Sequence, residues 1–506
     1  MLPYRATFAT APLLLLFALP VTTGCGRQAD ASPVQGPFAD PAADTIARFL
    51  ERVITEVPGI PGMSMAVVRH GEPVYIGAAG YRDVEARLPA TVETPFYIAS
   101  STKSFTGMEA TILAEQGKLD LDAPITRYIP ELRLPAPLDA DSVTMRKLLT
   151  HTIPFVNRAV VWRTAYTGQH SPAVLIELLA HSVPRDPGFR YDNLGYVVAS
   201  LALERITGEP WQRTLDRLLF DPLGMRHTSA YMSEAADWDP AAPYQSGERI
   251  PQLKTDSTMH AAGGMVTSAA DLARWLEAQL EGGRLDGRPV LPEAAVREAH
   301  RNQATLSARF GPYPRFGYGL GWYWSTWEED TLLHHFGGYA GARAHVSFMP
   351  AHGIGVAVLL NSSGANAAAA DLVANYAYDV LLGKAGREAK YDSILGSAKA
   401  DLERIANRIR DQRAEVAARP STLTRPAADY AGVYVSPLLG EMHVSADRDT
   451  LVVSIGQLRS RAGNYTEPNS IRVELDPGSG QVVGFMVTES GVDALVFNGF
   501  TFERVR

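Results

Sequence analysis

The sequence predicts a mixed α/β fold: an antiparallel sheet flanked by helices, an all-helical subdomain set into its middle, and a small C-terminal antiparallel β domain. Three observations carry this. Met63 to Val68 and Pro73 to Ile76 read as two strands around Arg69-His70-Gly71-Glu72, and strand patterns return from Phe316, at Tyr318 to Trp324, His345 to Met349 and Gly355 to Leu360. Between them, from Ser100 to about Leu276, helical spacings and loops dominate, so the sheet is built from both ends of the segment around a helical insert. From Tyr430 onward, short alternating segments are broken by Arg448-Asp449, Pro477-Gly478-Ser479-Gly480 and Ser490-Gly491, the pattern of antiparallel strands.

The 506 residues exceed one ordinary core, and the chain divides accordingly. Residues 1–25 read as a signal peptide of the lipoprotein type. Arg5 precedes the apolar run Leu13 to Val21, and Cys25, the single cysteine, stands where such a signal is cut and lipidated; the lesser alternative is a plain signal cut near Gly24. Residues 26–43 suit a flexible tether, 44–384 the large α/β domain, and 385–426 a helical linker with Leu402, Ile405 and Ile409 at helical spacing. Residues 427–506 form the β domain. The expected location is outside the cytoplasm, in the periplasm or on a membrane held by lipidated Cys25. A net charge of −8 with no basic run excludes a nucleic-acid partner, and one cysteine excludes a disulfide within the chain. The oligomeric state is not legible.

Ser100-Ser101-Thr102-Lys103 sets a serine and a lysine one helical turn apart. A serine hydroxyl is a weak nucleophile at neutral pH and needs a partner to take its proton as it attacks. Phe105, Met108, Ile112 and Leu113 follow at helical spacing and Gly117 stands at the C-terminal cap, so Ser100 is expected to open a buried helix. The helix N-terminus and desolvation would lower the pKa of Lys103 and free its amine to act as a base. Alone, the pair would more often be a helix-opening serine and an ordinary surface lysine.

Two further motifs add weight. Tyr191-Asp192-Asn193 is the one Tyr-x-Asn in the chain; a tyrosine becomes a base when nearby positive charge pulls its pKa down, and Asn193 can hold Lys103 and a substrate carbonyl together. His335-Phe336-Gly337-Gly338 precedes a strand, and an amide from Gly338 can complete an oxyanion hole with that of Ser100. The neighbouring His334 invites a metal reading, but no further ligand stands at the right spacing.

In this order the three motifs resemble the serine β-lactamase-like family, which includes class C β-lactamases, D,D-peptidases, D-aminopeptidases and related esterases. The resemblance covers roughly Thr45 to Leu382 and takes in Pro61-Gly62-Met63-Ser64, Leu149-Thr150-His151-Thr152, Asp221-Pro222-Leu223-Gly224-Met225 and Tyr318-Gly319-Leu320-Gly321-Trp322. It implies that Ser100 is acylated, that Lys103 and Tyr191 share the general-base role, and that Asn193, His335, Gly337 and Gly338 form the substrate site, with no cofactor or metal.

Two departures shape the expected substrate. Where β-lactamases and D,D-peptidases of the family carry Lys-Thr-Gly, this chain has His335, which weakens the charge that meets a substrate carboxylate and favours esters or amides that are less anionic. After His151-Thr152 comes Ile153-Pro154-Phe155, and Phe155, Trp162 or Tyr166 could border the pocket. The leading expectation is an exported serine hydrolase of small esters, amides or D-amino-acid peptides. Its rivals are a cell-wall D,D-peptidase or weak β-lactamase, and a catalytically silent protein that binds wall fragments.

Overall fold

The computed structural model describes residues 40–505, so the expected signal segment, Cys25 and nearly all of the tether lie outside the described residues. The fold class expected from the sequence is the one observed. His70 and Gly71 both have positive φ, 52° and 77°, a turn whose twist matches the strands it joins. The strand Gly62–Arg69 pairs antiparallel with Glu72–Asp83 on one side and with Ile354–Leu360 on the other, Met63 facing Leu360 and Val67 facing Val356. The sheet closes from both ends of the segment. Beyond Ile354–Leu360 it continues antiparallel through Ala342–Met349, Asp330–His334, Tyr323–Trp327, Tyr313–Tyr318 and Ala304–Phe310.

Side chains alternate across a strand, and here both faces are covered. Met63, Met65, Val67, Val356, Val358 and Leu360 pack against the helices Ala42–Glu56 and Ala369–Leu381. Ala66, Val68, Ala357 and Leu359 face the larger core that includes the helical insert. Each such Val, Leu or Met contributes about 1.5–3 kcal/mol by leaving water.

The strand expected over Tyr318 to Trp324 is instead a turn between two strands. Gly319 to Trp322 make the reversal, with Gly321 at φ 93°. A Cβ on Gly321 would strike the carbonyl oxygen of Lys103, so this glycine lets the turn lie on the backbone of the Ser100 helix. Aromatic alternation at 318, 322 and 324 imitated a strand.

On Ala342–Met349 the residues Arg343, His345 and Ser347 share one face and point to helix Ala369–Leu381. His345 Nδ1 donates to Asp371 at 2.9 Å, its Nε2 meets the Ser347 hydroxyl at 2.7 Å, and that hydroxyl also meets Tyr378 at 2.8 Å. This set is sealed behind the sheet, with His345 and Ser347 fully buried.

The helix Arg387–Ala418 leads to the C-terminal sheet. Its nine strands are all antiparallel, and the two at the ends of the order, Leu458–Arg461 and Gly463–Asn464, are joined through Ala462 alone. The sheet therefore curls into a nearly closed barrel. It docks on the helical insert: Arg163 donates to the carbonyls of Leu438 and Pro437 at 2.7 and 3.1 Å, Gln169 bonds the Glu441 backbone in both directions, and Trp162 meets Phe497 edge to face.

Candidate active site

Ser100 lies in the short helical turn Ala99–Ser101 that leads into helix Thr102–Glu115. Every residue from Thr102 to Leu113 is buried, which is why the spacing of apolar residues there is less amphipathic than that of a surface helix. Ala99 carries φ 46°, a left-handed backbone that places the serine at a sharp entry to the helix. The helix ends at Gly117, φ 69°, where Lys118 N–H bonds back to Leu113.

Lys103 is wholly buried, and its Nζ stands 3.3 Å from Ser100 Oγ, 2.8 Å from Asn193 Oδ1 and 2.6 Å from the Ala262 carbonyl oxygen. Desolvation pushes its pKa well below the ordinary lysine value; the field of Asp192 opposes this only weakly. A neutral amine has two N–H groups and one lone pair. Asn193 Oδ1 and the Ala262 carbonyl can only accept, so they take the two hydrogens, and the lone pair is left facing the Ser100 hydroxyl.

Asn193 occupies the N-cap position of helix Leu194–Thr207 without capping it. Asp192 Oδ1 takes the Leu194 N–H at 2.7 Å instead, which frees Asn193 for Lys103. Tyr191 is 42% exposed to the cleft, with its ring 4.8 Å from Lys103 Nζ. Ser100 beside its hydroxyl works to lower its pKa, yet burial outweighs this and raises it above the ordinary phenol value. The sequence expected a lowered pKa, with Lys103 supplying the charge. A neutral amine supplies none, so Tyr191 stays a phenol.

His335 is buried beneath the cleft and uncharged: desolvation holds its pKa well below the ordinary value, and the charge of Arg315 adds to that. Its hydrogen bonds agree. Asp192 N–H donates to His151 Nδ1 at 3.3 Å, His151 Nε2 to the Tyr318 hydroxyl at 3.2 Å, that hydroxyl to His335 Nε2 at 3.1 Å, and His335 Nδ1 to the Phe336 carbonyl at 3.2 Å. The run satisfies every member with both imidazoles neutral. It also links the Tyr191-Asp192-Asn193 loop to the strand of the third motif.

The two glycines differ. A Cβ on Gly337 would collide with the Ile98 carbonyl oxygen, whereas one on Gly338 would meet only Arg343 Nη1 at 3.8 Å. Gly337 lets the short strand Gly337–Tyr339 approach the Ser100 turn, and Ser101 Oγ fastens that approach by donating to the His335 carbonyl at 2.8 Å.

Sequence reasoning missed the Ala262 carbonyl and the Tyr318 hydroxyl. Of the three aromatic residues expected at the border, Phe155 is buried in the core. Trp162 and Tyr166 stack on one another, and Tyr166 reaches Tyr339 at the end of the third-motif strand. Lys254 sits among Tyr97, Tyr166 and Tyr339, its pKa lowered by burial to about 7. Among the described residues no cluster of His, Cys, Asp or Glu has the form of a metal site, and no helix is long and apolar enough to cross a membrane.

An antiparallel sheet with a helical insert, and a serine–lysine pair buried where they meet, define a class of serine hydrolases. The chain belongs to the Beta-lactamase family, whose model matches residues 50–381. It is 25% identical over 309 residues to Protein flp of Staphylococcus aureus (strain N315), a match taking in 60% of each chain, so it spans about three fifths of that relative's length. Among solved structures it is similar to the octameric penicillin-binding protein homologue from Pyrococcus abyssi, with a TM-score of 0.57 and 25% identity over 91% of this chain and 99% of that one. It is also similar to D-amino acid amidase from Ochrobactrum anthropi SV3 complexed with L-phenylalanine, with a TM-score of 0.56 and 26% identity over 69% of this chain and 98% of that one.

Proposed function

We propose that this protein is an exported serine hydrolase that cleaves small amides or esters through an acyl-enzyme on Ser100. One observation carries the reading: buried Lys103 Nζ lies 2.8 Å from Asn193 Oδ1, 2.6 Å from the Ala262 carbonyl oxygen and 3.3 Å from Ser100 Oγ, so a neutral amine that gives its two hydrogens to the first two turns its lone pair to the third. Lys103 takes the first proton. Tyr191, a phenol beside Ser100, then serves as the donor to the leaving group, and the amides of Ser100 and Gly338 stabilise the oxyanion. Water attacks the acyl-enzyme in a second step, with the same proton carriers running in reverse. The likeness to an amidase supports amides ahead of esters. Export rests on the run Leu13 to Val21 and on Cys25, and cell fractionation with palmitate labelling tests it.

The test of the chemistry is hydrolysis of D-phenylalaninamide and a short-chain p-nitrophenyl ester, with fluorophosphonate labelling of Ser100. Lys103→Arg replaces the neutral amine with a guanidinium that does not deprotonate, so kcat/KM should fall by roughly 10²–10⁴. In the wild type kcat/KM should rise with pH through an ionisation well below 10.5, because the protonated amine has no lone pair. Full activity in Lys103→Arg, or no labelling of Ser100, would sink the reading.

A further inference from the structure

Tyr191 is gripped from both sides by one residue. His151 takes the Arg190 N–H on its carbonyl oxygen at 2.9 Å and the Asp192 N–H on its ring Nδ1 at 3.3 Å, so its main chain and side chain together hold the residues on either side of the phenol. Its ring also packs against that of Tyr191, with centres 4.6 Å apart. The grip carries strain. His151 has φ 58°, a left-handed backbone at a residue other than glycine, and such a conformation persists where its surroundings fix it.

Tyr318 in turn fixes the His151 ring. The donations run one way, from the Asp192 N–H through His151 and Tyr318 to His335 and on to the Phe336 carbonyl. Both ends are main-chain groups, a donor that cannot accept and an acceptor that cannot donate, so the direction is locked. The two histidines are therefore opposite tautomers, His151 with its proton on Nε2 and His335 with its proton on Nδ1, and both His335 nitrogens are spent on the run. Tyr196 stands outside it: its hydroxyl is 3.4 Å from that of Tyr318 but gives its hydrogen to the Leu149 carbonyl at 2.9 Å.

We propose that His151 and Tyr318 are positioning residues that aim the Tyr191 phenol at the leaving group, and so govern amides, whose nitrogen needs a proton as it departs, more than esters of acidic alcohols. This rests on Tyr191 being the donor to the leaving group.

The test sets D-phenylalaninamide against the p-nitrophenyl ester of D-phenylalanine, which shares its acyl group but releases an anion that needs no proton. The proteins are wild type, His151→Gly, His151→Asn, Tyr318→Phe and Tyr196→Phe. His151→Gly keeps the left-handed backbone and removes the ring. In it and in Tyr318→Phe, kcat/KM for the amide should fall by about tenfold to a hundredfold while that for the ester stays within about threefold. His151→Asn should recover most of the amide rate, because asparagine tolerates the left-handed backbone and its Oδ1 can take the Asp192 N–H. Tyr196→Phe should keep the wild-type ratio of amide to ester. Equal losses on the two substrates, or a Tyr196→Phe that matches Tyr318→Phe, would show a structural role alone and overturn the proposal. If wild type hydrolyses neither substrate, the hydrolytic reading fails separately, and ¹⁵N spectra of histidine-labelled protein read the run directly. Wild type should then carry Nε2–H at His151 and Nδ1–H at His335, a pattern that Tyr318→Phe loses; the reverse tautomers, or a pattern that Tyr318→Phe leaves unaltered, sink the idea.

Discussion

Among the described residues, two serines have a basic side-chain nitrogen within hydrogen-bonding distance, and only one of them faces a cleft. Behind the sheet, Ser347 meets His345 at 2.7 Å, and His345 is held by Asp371 at 2.9 Å. At the junction of sheet and insert, Ser100 meets Lys103 at a looser 3.3 Å. By hydrogen bonding alone the sealed set looks the better nucleophile. Ser347 is fully buried and also tied to Tyr378, so nothing can reach it, whereas Ser100 is half-buried beside the exposed face of Tyr191. Chemistry follows access as much as alignment.

The largest expected effect tests that contrast. Ser100→Ala should lose fluorophosphonate labelling and at least about 10³-fold in kcat/KM. Ser347→Ala should keep its labelling and its rate, while costing about 1–3 kcal/mol in denaturant unfolding through the polar groups it strands. Loss of labelling in Ser347→Ala would end the distinction.

A second contrast lies within the third motif. Gly337→Ala should cost about 3 kcal/mol or more, because a Cβ there meets backbone that cannot move aside. Gly338→Ala should fold with a melting temperature close to wild type, since its Cβ finds only ordinary contact.

Both regions share a pH liability. His151, His260, His334, His335 and His345 all have pKa values lowered by burial. Below the ordinary value of 6.5 the unfolded chain binds protons that these residues refuse in the native state. Stability is therefore present above that pH and lost as pH falls, by up to about 1.4 kcal/mol per unit for each histidine. Melting temperatures from pH 7.5 to 5 check the slope, and a flat profile would contradict neutral imidazoles.

The smallest effect concerns Ala99. Glycine adopts its φ of 46° without strain, so Ala99→Gly should leave folding unchanged or stabilise it by about 0.5 kcal/mol, the relief being partly offset by unfolded-state entropy. A clear loss would show that the methyl group, not the backbone, holds the turn.

The Ser100–Lys103 pair was legible because a helix converts sequence spacing directly into distance. The Tyr191-Asp192-Asn193 loop was legible through its pairing of residue types, although the direction of the Tyr191 shift was not, since burial is a tertiary quantity. The reversal at Gly319 to Trp322 was misread because aromatic residues alternating with glycines mimic strand periodicity. Tyr318 was read as part of that strand, and nothing local shows that its hydroxyl joins His151 to His335.

Two of the contacts that hold this site, the Ala262 carbonyl on Lys103 and the His335 carbonyl on Ser101, come from the main chain. No point substitution at 262 or 335 removes the oxygen that does the holding. Such contacts survive drift in side-chain identity and fail only when an insertion or deletion shifts the strand or loop that presents them. Relatives about a quarter identical can therefore keep the lysine aimed at the serine while little of the surrounding sequence matches. Along the segment before Met265, changes in length should be harder to tolerate than changes in letter.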